Sequence, residues 1–144
     1  MTARICVLLA ASFALGIALP ATATAESVAF KAELKGSSEV PPNQSQGTGT
    51  VDATFDTESK AFVWTIDYSG LSGDATAAHF HGPAAADANA GPVIPMEGSL
   101  TSPIKGEATL TDEQATQLQD GMWYFNLHTA QYPDGELRGQ MAKQ

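Results

Sequence analysis

Ala61-Phe62-Val63-Trp64-Thr65-Ile66-Asp67-Tyr68 is the stretch that decides the fold. Phe62, Trp64, Ile66 and Tyr68 alternate with Val63, Thr65 and Asp67, so large apolar groups recur at every second position. Side chains of an extended chain point alternately to opposite faces, and this period predicts a strand with one face on a core. Val28, Phe30, Ala32 and Leu34 repeat the pattern upstream, as do Val51, Ala53 and Phe55, with Pro41-Pro42 and the polar stretch to Gln46 as a loop between them. β-Branched and aromatic residues fill these runs, and Gly, Ser, Asn, Asp and Pro clusters bound them.

Downstream the same signals predict strands over Ala75–His81, Val93–Leu100, Lys105–Leu110, Met122–Thr129 and Glu136–Ala142. One helix is expected: Thr111 with Gln114 forms a capping box, Asp112 and Glu113 suit the first turn, and Gly121 can close the end. Ala84 to Ala90 reads as a small-residue loop expected to be mobile. No internal repeat or composition break follows residue 26. Seven or eight short strands and one brief helix make an all-β domain, a Greek-key β-sandwich or barrel.

The chain of 144 residues carries 16 acidic and 7 basic side chains, a formal charge of −9. No basic patch can be assembled from so few cations, which argues against nucleic acid or an anionic membrane surface as a partner. One cysteine rules out an intramolecular disulfide framework and a thiolate zinc finger.

Residues 1–25 read as a secretory signal peptide. Arg4 supplies the charged start, Ile5 to Leu19 the apolar centre, and Pro20 with Ala23-Thr24-Ala25 the exit. The apolar run is shorter than the roughly 20 residues a bilayer requires. Cleavage after Ala25 would leave 26–144 as one secreted or periplasmic domain with no membrane anchor. Arg4 and Cys6 would go with the leader, leaving 6 basic against 16 acidic groups, a net −10. Arg138 is then the sole arginine. Asn43-Gln44-Ser45 matches a glycosylation acceptor, meaningful only in a eukaryotic host.

All three histidines fall in two strands: His79-Phe80-His81 and His128. Residues two apart in a strand share a face about 6.8 Å apart, so His79 and His81 can converge on one ion. Phe80 then points to the core. In the other strand Trp123, Phe125 and Leu127 form the core side, and Tyr124, Asn126 and His128 the opposite one. If the strands are neighbours, His128 completes a three-histidine site. In the last strand Leu137, Gly139 and Met141 face inward, while Glu136, Arg138 and Gln140 face outward. For Arg138 the favoured reading is structural, a hydrogen bond or ion pair to Glu136 or Asp134, and a histidine before Gly82-Pro83 could simply hydrogen-bond a turn.

Imidazole ligation suits copper, zinc, nickel or iron and does not suit calcium or magnesium. Met96, Glu97, Asp134 and Glu136 are candidate further ligands, with nothing to choose among them. Because only neutral imidazole coordinates, affinity is expected to fall as pH drops through about 6.5.

Several blocks together resemble the CHRD domain, the module first named from chordin. They are Leu34-Lys35-Gly36 with Glu39-Val40-Pro41-Pro42, Ala77-Ala78-His79-Phe80-His81-Gly82-Pro83, Gly91-Pro92-Val93, and Gly121, Tyr124, Asn126, His128-Thr129 with Pro133-Asp134-Gly135-Glu136-Leu137-Arg138-Gly139-Gln140. The resemblance runs from about Val28 to Met141 and implies an immunoglobulin-like β-sandwich on an exported protein. A weaker similarity is to copper–zinc superoxide dismutases. It implies copper on His79, His81 and His128, with Arg138 as a catalytic guide for superoxide. The chain departs from that pattern: three histidines stand where more copper and bridging ligands are expected, and the structural disulfide is absent.

Three functions follow as expectations. The first is an exported copper-binding protein, zinc being the alternative metal, with superoxide dismutase-like turnover as an added activity. The second is the same metal site without turnover. The third is a non-catalytic extracellular module that binds protein or glycan, its histidines structural. Simple metal binding ranks first. No thiol and no G-x-S-x-G elbow supports nucleophilic hydrolysis, and no constellation singles out a carboxylate pair. Exposed strand edges are compatible with a homodimer.

Overall fold

The computed structural model describes residues 25–144; the signal-peptide reading falls, Ala25 apart, outside them. Nine strands and one α-helix succeed one another: β1 (Ser27–Lys35), β2 (Thr48–Asp56), β3 (Ala61–Ser69), β4 (Ala75–His81), β5 (Pro92–Pro95), β6 (Ile104–Thr109), α1 (Asp112–Gln119), β7 (Tyr124–Thr129), β8 (Leu137–Gln140) and β9 (Ala142–Lys143). All pairings are antiparallel, in the order β5-β4-β7-β8-β1-β2-β3-β6, with β9 beside β1. The domain is therefore all-β, as the alternation predicts.

The sheet curls until its ends face each other. In the strand order β3 and β4 lie five places apart, which in a flat sheet would separate them by about 24 Å at roughly 4.8 Å per strand. Yet the rings of Phe62 on β3 and Phe80 on β4 are 5.2 Å apart, edge to face. Phe80 also meets Trp64 at 5.3 Å and Phe125 at 5.1 Å. Between the two halves, β8 meets β1 through the single pair Lys35↔Arg138. What holds the two halves together is this aromatic centre, each ring contributing about 1.5–3 kcal/mol by burial.

Helix α1 begins as expected. Thr111 Oγ1 accepts the Gln114 N–H at 3.2 Å and Gln114 Oε1 accepts the Thr111 N–H at 3.0 Å. Ala115 and Leu118 are its buried side, and Gly121 takes the positive φ that ends it.

Three expectations are corrected. The strand expected over Val93–Leu100 stops at Pro95, because Pro92 and Pro95 bracket it and neither has an N–H to extend the ladder. The strand expected over Glu136–Ala142 is split at Met141, whose N–H bonds Trp123 O while Ala142 and Lys143 pair with β1. The side of β7 and β8 opposite the aromatic core is not a solvated face: Tyr124, Asn126, Glu136 and Arg138 are all at most 3% exposed.

Two loops cover that face. Asn43 Nδ2 donates to the carbonyls of Gly135 and Glu136, both at 3.1 Å, so the residue of the acceptor sequence is engaged inside the molecule. The Ala84–Ala90 loop is pinned rather than loose. Arg138 and Gln140 donate to it from β8, and Asn89 Nδ2 ties it to Val40 O at 2.8 Å.

Candidate metal centre

β4 and β7 are neighbours, which brings the three histidines together. His79 pairs with Asn126, Ala77 with His128 and His81 with Tyr124, so His128 lies diagonal to His79 on the same face. Phe80, between the two histidines of β4, is fully buried in the core. Each histidine places one ring nitrogen so that no two of the three lie more than 4.8 Å apart.

Hydrogen bonds to carbonyls fix the tautomers of His81 and His128. His81 Nδ1 lies 2.9 Å from Ala90 O and His128 Nδ1 lies 2.9 Å from Pro133 O. A carbonyl oxygen only accepts, so both Nδ1 atoms carry the proton and both Nε2 atoms present lone pairs. His81 Nε2 is buried and has no hydrogen-bond partner. His79 Nδ1 lies 3.3 Å from His128 Nε2. Two ligands at about 2.0–2.1 Å from a tetrahedral ion are themselves about 3.3–3.4 Å apart. With His128 Nε2 an acceptor, His79 Nδ1 donates across this edge, whose length is the one an ion taking that proton's place would impose.

The site favours neutral imidazole. Burial holds His79 below its ordinary value, and neighbouring His128 acts in the same direction. Burial also holds His81 down, with smaller contributions from His79, His128 and Arg138, against the opposing bond to Ala90. A cavity of about 390 Å³ opens beside the cluster. Its lining includes His81, His128, Tyr124, Asn126, Glu39 and Asp134, and no lysine or arginine.

Of the other candidate ligands, Asp134 lines the same cavity and the rest lie elsewhere. Met96 packs against the core, and Glu97 lines a separate cleft with Lys105 and Glu107. Glu136 is fully buried and accepts from Ser45 Oγ, Ser72 N–H, Ser72 Oγ and Thr129 Oγ1. Burial raises its pKa, but these donors outweigh that and leave it lowered. Asp134 lines the cavity mouth and is exposed. Arg138 shares the face of the histidines, as alternation predicts, yet it is only 1% exposed. Its donors go to Asn89 and Ala88, not to Glu136 or Asp134.

The family model for the CHRD domain matches residues 30–141. The chain belongs to the CHRD family. The three histidines, Glu39 and Arg138 of this CHRD domain all lie within the matched span. Nothing matches among the curated proteins or the solved structures.

Sequence reasoning missed Glu39, a carboxyl only 7% exposed that accepts from Asn126 Nδ2 at 2.5 Å. Burial pushes it up to about 7, against the pull of Arg138 and Asn126. The available signal was its place as a lone acid before Val40-Pro41-Pro42 in a motif block. Gly135, at φ +137°, is needed because a Cβ there would collide with Asn126 and Glu39. The carbonyls of Ala90 and Pro133 were also missed, since every residue has one.

Proposed function

We propose that this CHRD protein is an exported copper-binding protein that holds its ion on His79 Nδ1, His81 Nε2 and His128 Nε2. One observation carries the reading: His81 Nε2 is buried and unpartnered, on a ring that clusters with those of His79 and His128. A buried acceptor without a partner costs roughly 1–3 kcal/mol, which a structural histidine would avoid and a ligand would recover on binding. The bonds to Ala90 and Pro133 serve a turn-holding role too, but that role uses only Nδ1. Copper is favoured over zinc because, with no thiolate among the three ligands, copper(II) binds nitrogen sites most tightly among the divalent metals. The expected leader and a family found in extracellular proteins support export. No helix among the described residues is long and apolar enough to cross a membrane.

Holding the ion without turnover is the reading the electrostatics favour. Superoxide would have to enter a cavity lined by Glu39 and Asp134 with no cation, on a chain of net charge −9. Arg138, the expected guide, is stacked and hydrogen-bonded inside the molecule. The same acidic lining suits a cation on its way in.

The test is to titrate the metal-free protein with copper and with zinc, and to assay superoxide on the loaded forms. One copper per chain is expected, with affinity reduced at least 100-fold in His79→Ala, His81→Ala and His128→Ala. Unchanged stoichiometry and affinity in all three variants would overturn the site. Rapid superoxide turnover would replace holding by catalysis.

A further inference from the structure

Arg138 is linked to His81 by two separate routes. Through the loop, Nη1 donates to Asn89 Oδ1 and Nη2 to Ala88 O, each at 2.6 Å. These residues lead directly into Ala90, whose carbonyl accepts from His81 Nδ1 at 2.9 Å and from Tyr124 Oη at 3.1 Å. Through the rings, the Arg138 Cζ lies 3.5 Å from the Tyr124 centroid. His81 stacks on Tyr124 at 4.7 Å with an interplanar angle of 4°. β7 lies between β4 and β8 in the sheet, so Tyr124 is sandwiched between ligand and guanidinium.

We propose that Arg138 is a positioning residue for the copper centre. It holds the 84–90 loop and the Tyr124 ring so that His81 keeps its proton on Nδ1 and turns Nε2 toward His79 and His128. The inference rests on the metal reading above. A planar cation with a fork of donors is what the two routes need, because it stacks on a ring and bridges two acceptors at once. Lysine keeps the charge but can do only one of these. Among the described residues no carboxylate lies within salt-bridge distance of the guanidinium, which fits this role: a salt bridge would draw it off the ring. Ala90 then acts as the carbonyl that orients a metal-ligating imidazole, with Arg138 one step behind it.

Imidazole tautomers of the metal-free full chain, read by long-range ¹⁵N–¹H correlation, test the relay without any metal. The wild type is expected to show His81 in a single Nδ1–H form. Arg138→Lys and Asn89→Ala are each expected to show mixed tautomers at His81. Copper affinity should fall about 10–100-fold at unchanged stoichiometry. If Arg138→Lys fails to fold, Asn89→Ala, an exposed residue, decides alone. A His81 that stays wholly Nδ1–H in the folded variants, with copper affinity within twofold of wild type, overturns the proposal. Tautomer loss in variants of a protein that binds no copper would instead uphold the positioning and overturn the metal reading.

Discussion

Glu39 offers a quantitative test of how dry the covered face is. Its carboxyl has an ordinary value of 4.5 and is raised to about 7 by burial. A carboxyl raised in the folded state binds more protons there than when unfolded. Stability must therefore fall as pH rises from about 4.5 to about 7, and stay low above it. At about 1.4 kcal/mol per pH unit the ceiling is about 3 kcal/mol. The cavity wets one side of the carboxyl, so about 2 kcal/mol is the expected loss. His79 and His81, held below their ordinary values, act in the opposite direction and remove stability as pH falls below about 6.5. The wild-type curve alone therefore mixes these effects. Glu39→Gln separates them, because its amide oxygen still accepts from Asn126 but it does not ionise. Urea unfolding of both metal-free proteins between pH 4.5 and pH 8.5 gives the difference directly. Glu39→Gln should gain about 2 kcal/mol on the wild type across that range. A difference flat within about 0.5 kcal/mol would refute the buried, raised carboxyl.

Glu136→Ala strands three hydroxyls and an amide that now donate to one buried carboxylate, and is expected to cost about 3 kcal/mol in urea unfolding. Metal should be retained below the ordinary histidine value, because two of the three imidazoles are held down by burial. Chelator competition from pH 7.5 to pH 5 should place the loss of copper clearly below pH 6.5. Phe80→Ala should cost about 3–5 kcal/mol, since the ring is fully buried against four other aromatics. It should also weaken copper binding, because Phe80 anchors the strand between His79 and His81, whereas Phe80→Leu should keep most of both.

Local periodicity made much of the fold legible. The alternation in Phe62–Tyr68 and the capping box at Thr111 are short-range signals, and strand parity alone put Phe80 inward and both its neighbours outward. The convergence of His128 with that pair needed one thing more than parity, the pairing of β4 with β7, which only the structure gives. What could not be read was the state of the opposite face. Arg138 and Glu136 alternate like solvated residues, and their burial depends on Asn89 and Ser45, which lie 49 and 91 residues away in sequence. The carbonyls that set the tautomers of His81 and His128 carry no side-chain signature at all. Strand ends went astray where proline removed a ladder donor, at Pro95, and where Met141 turned its N–H to Trp123.

X-ray absorption at the copper edge of the loaded protein tests the central claim most directly. Three nitrogen ligands of imidazole type at about 2.0 Å are predicted, with one fewer in His81→Ala. A copper shell made of carboxylate oxygens, or an imidazole count that does not change in His81→Ala, would contradict it.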